Sequence, residues 1–235
     1  MKKSEIRILD MLRRARQHGQ TRAGAFPANS RGHELYVIVG TSVVNMERFS
    51  AEQAAHARAY REKTAQKKGA DEALRDSMES INRTARSMKR SHPGATEKFR
   101  LPANRDGETW LATANAFATE AMPLNDEFVR RGMAPDFVDD LKARILAVKQ
   151  AGEEQARASA ARVAATAGLA EAAQQGVEAV RELDPIVCNT YASNEVELAA
   201  WESASRVERA PRRAEEEEAP SPPPPPPAQG STTTP

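Results

Sequence analysis

The sequence predicts an all-α fold: an elongated antiparallel helical bundle of four long helices with short terminal and connecting ones, followed by a disordered proline-rich tail. Three observations lead there. Apolar residues recur three and four apart through most of residues 1–207, the spacing that puts them on one face of a helix. The stretches between them are dominated by alanine, glutamate, glutamine, lysine and arginine, which lose little on becoming helical. Glycine, proline and asparagine signals separate one such segment from the next.

The first segment opens at Ser4, a residue type suited to an N-cap, and carries Ile6, Leu9 and Leu12 as far as about Gln17. After a loop with Gly19, Gly24 and Pro27, a long segment starts at Asn29 or Ser30 and presents Leu35, Val39, Val43, Met46 and Phe49 at helical spacing. Within it, Tyr36 to Val44 is β-branched and contains Gly40, so a strand stands as the alternative over those residues. Phe49 to Lys68 is alanine-rich and polar, and Gly69 supplies a C-terminal stop. Asp71 then caps a helix in which Leu74, Met78, Ile81, Ala85 and Met88 alternate spacings of four and three, the seam of one helix packed on another.

Ser91 to Gly94 ends that helix, and a loop with Phe99 to Pro102 follows. Asp106 caps the next segment, with Trp110, Ala114, Phe117, Ala121, Leu124 and Phe128 on one side and Pro123 splitting or kinking it. Gly132 and Pro135 mark a boundary, after which Phe137, Leu141, Ile145 and Val148 share a face. Gly152 to Gly168 is alanine-rich and polar, and the turn that a four-helix arrangement requires is placed near Thr166. Leu169, Ala173, Gly176, Val180, Leu183 and Val187 follow in heptad register, with Pro185 bending the end. Asn194 and Glu197 form a capping box for a last helix with Leu198 and Trp201. Leu74, Met78, Ile81 and Met88 match Ala173, Val177, Val180 and Val187 at a constant offset, a match that a shared heptad produces without any duplication.

Residues 1–207 thus form the helical domain, and residues 208–235 an acidic, proline-rich tail with six consecutive prolines and almost nothing apolar to bury. Such a tail acts as a spacer or docks as a polyproline helix. The chain has 235 residues, enough for a core that needs no staples. Its one cysteine, Cys188, excludes an internal disulfide and every multi-cysteine metal framework. No uninterrupted apolar run suits a signal peptide or the roughly 20 residues of a membrane span. The expectation is a soluble, cytoplasmic protein with no membrane association.

Motifs that would carry chemistry are missing: no paired Glu-x-x-His, HExxH, phosphate-binding glycine loop, dinucleotide fingerprint or nucleophile elbow. His18, His33, His56 and His92 share no ligand spacing. Glu52 with His56 is a carboxylate–imidazole pair at i, i+4 that reads as a surface contact, and Cys188 as a small, partly buried thiol beside the last apolar stripe. No catalytic residue, metal ligand or cofactor is expected. Lysine and arginine (34) balance aspartate and glutamate (33), so nucleic-acid binding would have to be local. Residues 1–31 supply such a patch, with Arg13, Arg14 and Arg16 at its centre as candidate phosphate contacts. The acidic run Glu215 to Glu218 could cover it, and the row Arg83, Arg86, Lys89 and Arg90 reads as the solvent side of its helix.

Four stretches, Phe26 to Gly32, Arg83 to Arg86, Phe99 to Pro102 and Ala200 to Arg213, resemble an uncharacterised family of all-helical bacterial proteins with variable proline- and threonine-rich C-terminal tails. The resemblance spans nearly the whole helical region and implies the fold, but it brings no catalytic or binding residue with it. Function is therefore expected to be that of a non-catalytic structural or protein-interaction bundle, self-associating or holding a protein partner. The alternatives are a nucleic-acid-associated protein using the basic N-terminal segment, and an enzyme or metal protein with a dispersed site.

Overall fold

A computed structural model describes residues 1–103 and 107–208. Among them the chain is all helix, in the order α1 (Lys3–Thr21), α2 (Arg31–Ser87), α3 (Ala95–Lys98), α4 (Gly107–Ala121), α5 (Asn125–Val129), α6 (Phe137–Thr190) and α7 (Glu195–Ser205). The frame is an antiparallel pair, α2 on α6, of 57 and 54 residues, rods of about 80 Å at 1.5 Å per residue. The four long helices read from the sequence are the two halves of these two. Helix α2 runs through Gly69 without stopping, and Asp71 is not a cap but lies within it, paired with Lys67 at 2.8 Å. Helix α6 runs through Thr166, so the turn expected there does not exist, and it continues past Pro185 to Thr190.

The physical reason is an unbroken phase. On α2, Val39, Met46, Gln53, Tyr60, Lys67, Leu74 and Ile81 stand seven apart, and on α6 so do Leu141, Val148, Gln155, Arg162, Leu169, Gly176 and Leu183. A strict seven-residue repeat keeps one line of side chains facing the partner helix along the whole pair. A lone exposed glycine such as Gly69 costs an interior turn only about 1 kcal/mol relative to alanine, too little to end a helix held on both sides. The β-branched run Tyr36 to Val44 is helical for the same reason, with Leu35, Val39 and Val43 buried.

The seam is apolar only at its ends. One core joins Leu9, Leu12, Leu35, Val39, Val43 and Met46 to Leu169, Val180, Leu183, Val187 and Trp201. A second joins Leu74, Met78, Ile81 and Met88 to Phe99, Phe117, Phe128, Leu141, Ile145 and Val148. Between Met46 and Leu74 no residue of α2 is buried, and none of α6 between Val148 and Ala165. This neck is joined by polar contacts: Gln53 Nε2 donates to Thr166 Oγ1 at 3.1 Å, Gln155 Nε2 to Thr64 Oγ1 at 3.0 Å, and Lys63 pairs with Glu154 at 2.8 Å. The Arg162 guanidinium lies 4.8 Å from the centre of the Tyr60 ring. At its proximal end the ring of Phe49 sits on Gly168, where a Cβ would stand 2.6 Å from it.

The distal cap is made by the link between the two rods. Pro123 splits it as expected: α4 ends at Ala121, a 3-10 turn spans Met122–Leu124, and α5 follows. Gly132, at φ +88°, closes α5 with Gly132 N donating to Val129 O and Met133 N to Phe128 O, the paired bonds of a Schellman motif. Asn82, buried in α2, donates from Nδ2 to Phe99 O at 2.6 Å and so ties the loop after α3 to the rod. Ser30 accepts from His33 N at 3.2 Å and Asn194 from Glu197 N at 3.3 Å, the caps read for α2 and α7. Helix α1 begins one residue before Ser4, with the Lys2 N–H bonded to the Glu5 carboxylate at 2.6 Å. The expected cap Asp106 and the tail from residue 209 onward lie outside the described residues.

Candidate interaction surface

Helix α1 shows what the paired rods can receive. Leu9, Met11, Leu12 and Ala15 are buried on its inner face, and Gly176 lets Leu12 close to within 2.6 Å of where a Cβ would be. Ile8 borders an open apolar groove of about 470 Å³ with Ala170, Ala173 and Val177 of α6. The N-terminal amine donates to Gln53 Oε1 at 3.1 Å, so α1 lies along the rods with its first residues beside the near end of the neck.

An aromatic cluster anchors this end. Trp201, 1% exposed, donates from Nε1 to Asp184 at 2.9 Å and tilts against His18 at 5.1 Å between ring centres. His18 Nδ1 shares a 2.9 Å hydrogen bond with the Tyr36 hydroxyl, and Arg22 pairs with Glu197. Burial, reinforced by the Arg22 charge and opposed by Glu197, lowers the His18 pKa to about 4. Burial raises that of Tyr36. The pair is neutral at pH 7, and the Nε2 of His18 is buried without a partner.

Heptad geometry extends the line that α1 occupies. On α2, Val43 lies in the same core as Leu9 and Leu12, and Ser50, Ala57, Thr64 and Asp71 follow at seven-residue steps. On α6 the line from Val177 returns through Ala170, Val163 and Ala156. At the far end Asp71 lines one pocket with Gly107, Trp110 and Leu111 of α4. Between the first residues of α1 and the start of α4, from Gln53 to Lys67, about 20 Å of the paired rods carries no third helix among the described residues. Along these lines Ala156 and Val163 of α6 are exposed, Val163 to 61%, and the α2 side offers Ala57 and Thr64. Arg61 and Lys68 stand on the α2 edge and Glu153 on the α6 edge.

The basic residues read from the sequence are turned to three different neighbours. Arg13 bonds Glu47 through Nη2 at 2.7 Å and Nε at 3.1 Å and pairs with Asp10 at 3.3 Å, contacts that raise its pKa, the Glu47 hydrogen bond most. Arg14 donates to Arg206 O at 2.6 Å and Glu208 at 3.2 Å. Arg16 lines a groove with Phe26, Tyr36 and Val37. Glu52 pairs with Arg48 at 3.4 Å rather than with His56. Cys188 is exposed, not partly buried: Val187 occupies the seam, and the next residue turns outward. Among the described residues no three His, Cys, Asp or Glu side chains are grouped so as to hold a metal ion, and no helix is long and apolar enough to cross a membrane.

The uncovered neck was missed in the sequence, although its signal is there: Ala156, Ala160, Val163, Ala167 and Ala170 repeat at four and three, a second seam beside the first. No protein-family model, no curated protein and no solved structure matches the chain.

Proposed function

We propose that this chain is a non-catalytic interaction protein of the cytoplasm, a rigid two-rod scaffold whose uncovered neck receives a helical segment of a protein partner. One observation carries the reading: the same line along the rods is filled by α1 at one end and α4 at the other, and between them it offers an exposed floor of alanines and Val163. Small residues let a helix approach closely. An apolar strip rimmed by charge is the common form of a protein-binding face. The single cysteine suits a reducing compartment.

The test places a photo-crosslinking residue at Ala156 and compares it with one at the exposed Ala65, on the outer side of α2, in cells that make the full chain. Crosslinks to a defined protein from position 156, absent from position 65 and lost on Val163→Glu with no change in melting temperature, support the reading. The same products from both positions, or none from position 156, refute it.

A further inference from the structure

The outer face of α2, turned away from α6, changes character near its start. Val37 and Val44 are 54% and 57% exposed there, with Ile38 beside them at 37%. Further along the same seven-residue line stand Ala51, Arg58, Ala65, Glu72 and Glu79. On the outside of a helix a β-branched side chain gains nothing from burial and still loses rotamer freedom against the preceding turn. Three of them within eight positions form a patch rather than scattered exposure, and a patch of that kind marks a contact face.

Beside the patch runs a groove of about 240 Å³ between α1 and α2, lined by Phe26, Tyr36, Val37 and Gly40, with Arg16 of α1 on its far wall. A Cβ at Gly40 would meet only Arg16 Cδ, at 3.9 Å, so the α2 backbone is open to close approach at this point. Charge brackets the patch symmetrically. Glu34 and Arg48 stand seven residues to either side of the exposed Thr41. Glu34 pairs with Arg31 and Arg48 with Glu52 within α2, yet the two side chains remain 57% and 55% exposed. A two-fold axis across the helix beside Thr41 sets Val37 of one copy against Val44 of the other, and Glu34 against Arg48, twice over. A parallel pairing would instead oppose Glu34 to Glu34 and Arg48 to Arg48, which repel.

We propose that this face of α2 binds a second copy of the chain, antiparallel across a two-fold axis beside Thr41. Val44 of each copy lies on Val37 of the other at the mouth of the groove, and two Glu34–Arg48 pairs close the ends. The contact spans about 20 Å of each helix, at the small end of specific interfaces, so the dimer is weak and reversible. It does not involve the neck, and each proposal stands or falls without the other.

Sedimentation equilibrium of the full chain carrying Cys188→Ser, which removes its one exposed thiol, tests this. The average mass climbs from monomer to dimer with concentration, and Val44→Asp holds it at monomer with no change in melting temperature. Glu34→Arg turns both end pairs repulsive and weakens the dimer about tenfold, and adding Arg48→Glu to it restores the dimer. In the same background Thr41→Cys, on the axis, gives a disulfide-linked dimer on mild oxidation. Ala65→Cys, which the axis holds far from its copy, does not. The proposal is overturned by a monomer at every concentration, by a dimer that survives Val44→Asp, by a charge exchange that restores nothing, or by equal crosslinking from positions 41 and 65.

Discussion

His18 gives the sharpest stability prediction. It is 4% exposed, bonded to Tyr36 through Nδ1, with Nε2 buried and unpartnered, and its pKa falls from 6.5 to about 4. Between those values the unfolded chain takes up a proton that the folded chain refuses, so stability rises with pH across the window. The contribution is fully present above pH 6.5 and is lost as pH falls toward 4. At about 1.4 kcal/mol per decade of proton affinity, the full loss is about 3 kcal/mol, and at pH 5 about 2 kcal/mol. The variant His18→Asn retains a group that can bond the Tyr36 hydroxyl and does not titrate. Urea midpoints followed by tryptophan fluorescence at pH 7.5 and pH 5 measure the effect. The carboxylates Glu127, Glu154 and Glu182, lowered by Arg131, Lys63 and Arg31 respectively, titrate below this interval and leave it clear. Equal losses in wild type and His18→Asn between the two pH values would falsify the assignment of the effect to His18.

Two substitutions test the proximal core directly. Gly168→Leu drives a side chain into the Phe49 ring, already 2.6 Å from a Cβ at that position, and should destabilise by about 1–3 kcal/mol, read as a lowered melting temperature; Gly69→Leu, where a Cβ meets nothing within 4 Å, should not. Trp201→Ala removes the ring held among His18, Tyr36 and Asp184 and should cost about 3–5 kcal/mol, with hydrogen exchange accelerating in α7 and α1 before the distal cap. Uniform acceleration along the chain would show that α7 is not held by this ring.

The helical class, the caps at Ser30 and Asn194 and both apolar seams were legible in the sequence, because periodicity and cap residues act over a few positions. Ser30, Asn194 and Pro123 do locally what their chemistry dictates. Helix continuity was misread where composition was weighed above phase: Gly69 and the stretch from Gly152 to Gly168 look like breaks, yet the seven-residue repeat crosses both without a slip. The His18–Tyr36–Trp201 cluster was not legible at all. It joins residues from helices far apart in the chain, and nothing local marks His18 as buried.

The polar neck also has a consequence for how the chain assembles. The distal core is drawn from one contiguous stretch, Leu74 to Val148, whereas the proximal core joins Leu9–Met46 to Leu169–Trp201. The second can close only after everything between Met46 and Leu169 has been brought to heel, a large loop entropy if that stretch is unfolded and a small one once the distal hairpin has formed. The order is therefore nested: the middle of the sequence folds first, the helices zip outward through contacts too weak to nucleate by themselves, and α1 and α7 meet over the proximal core last.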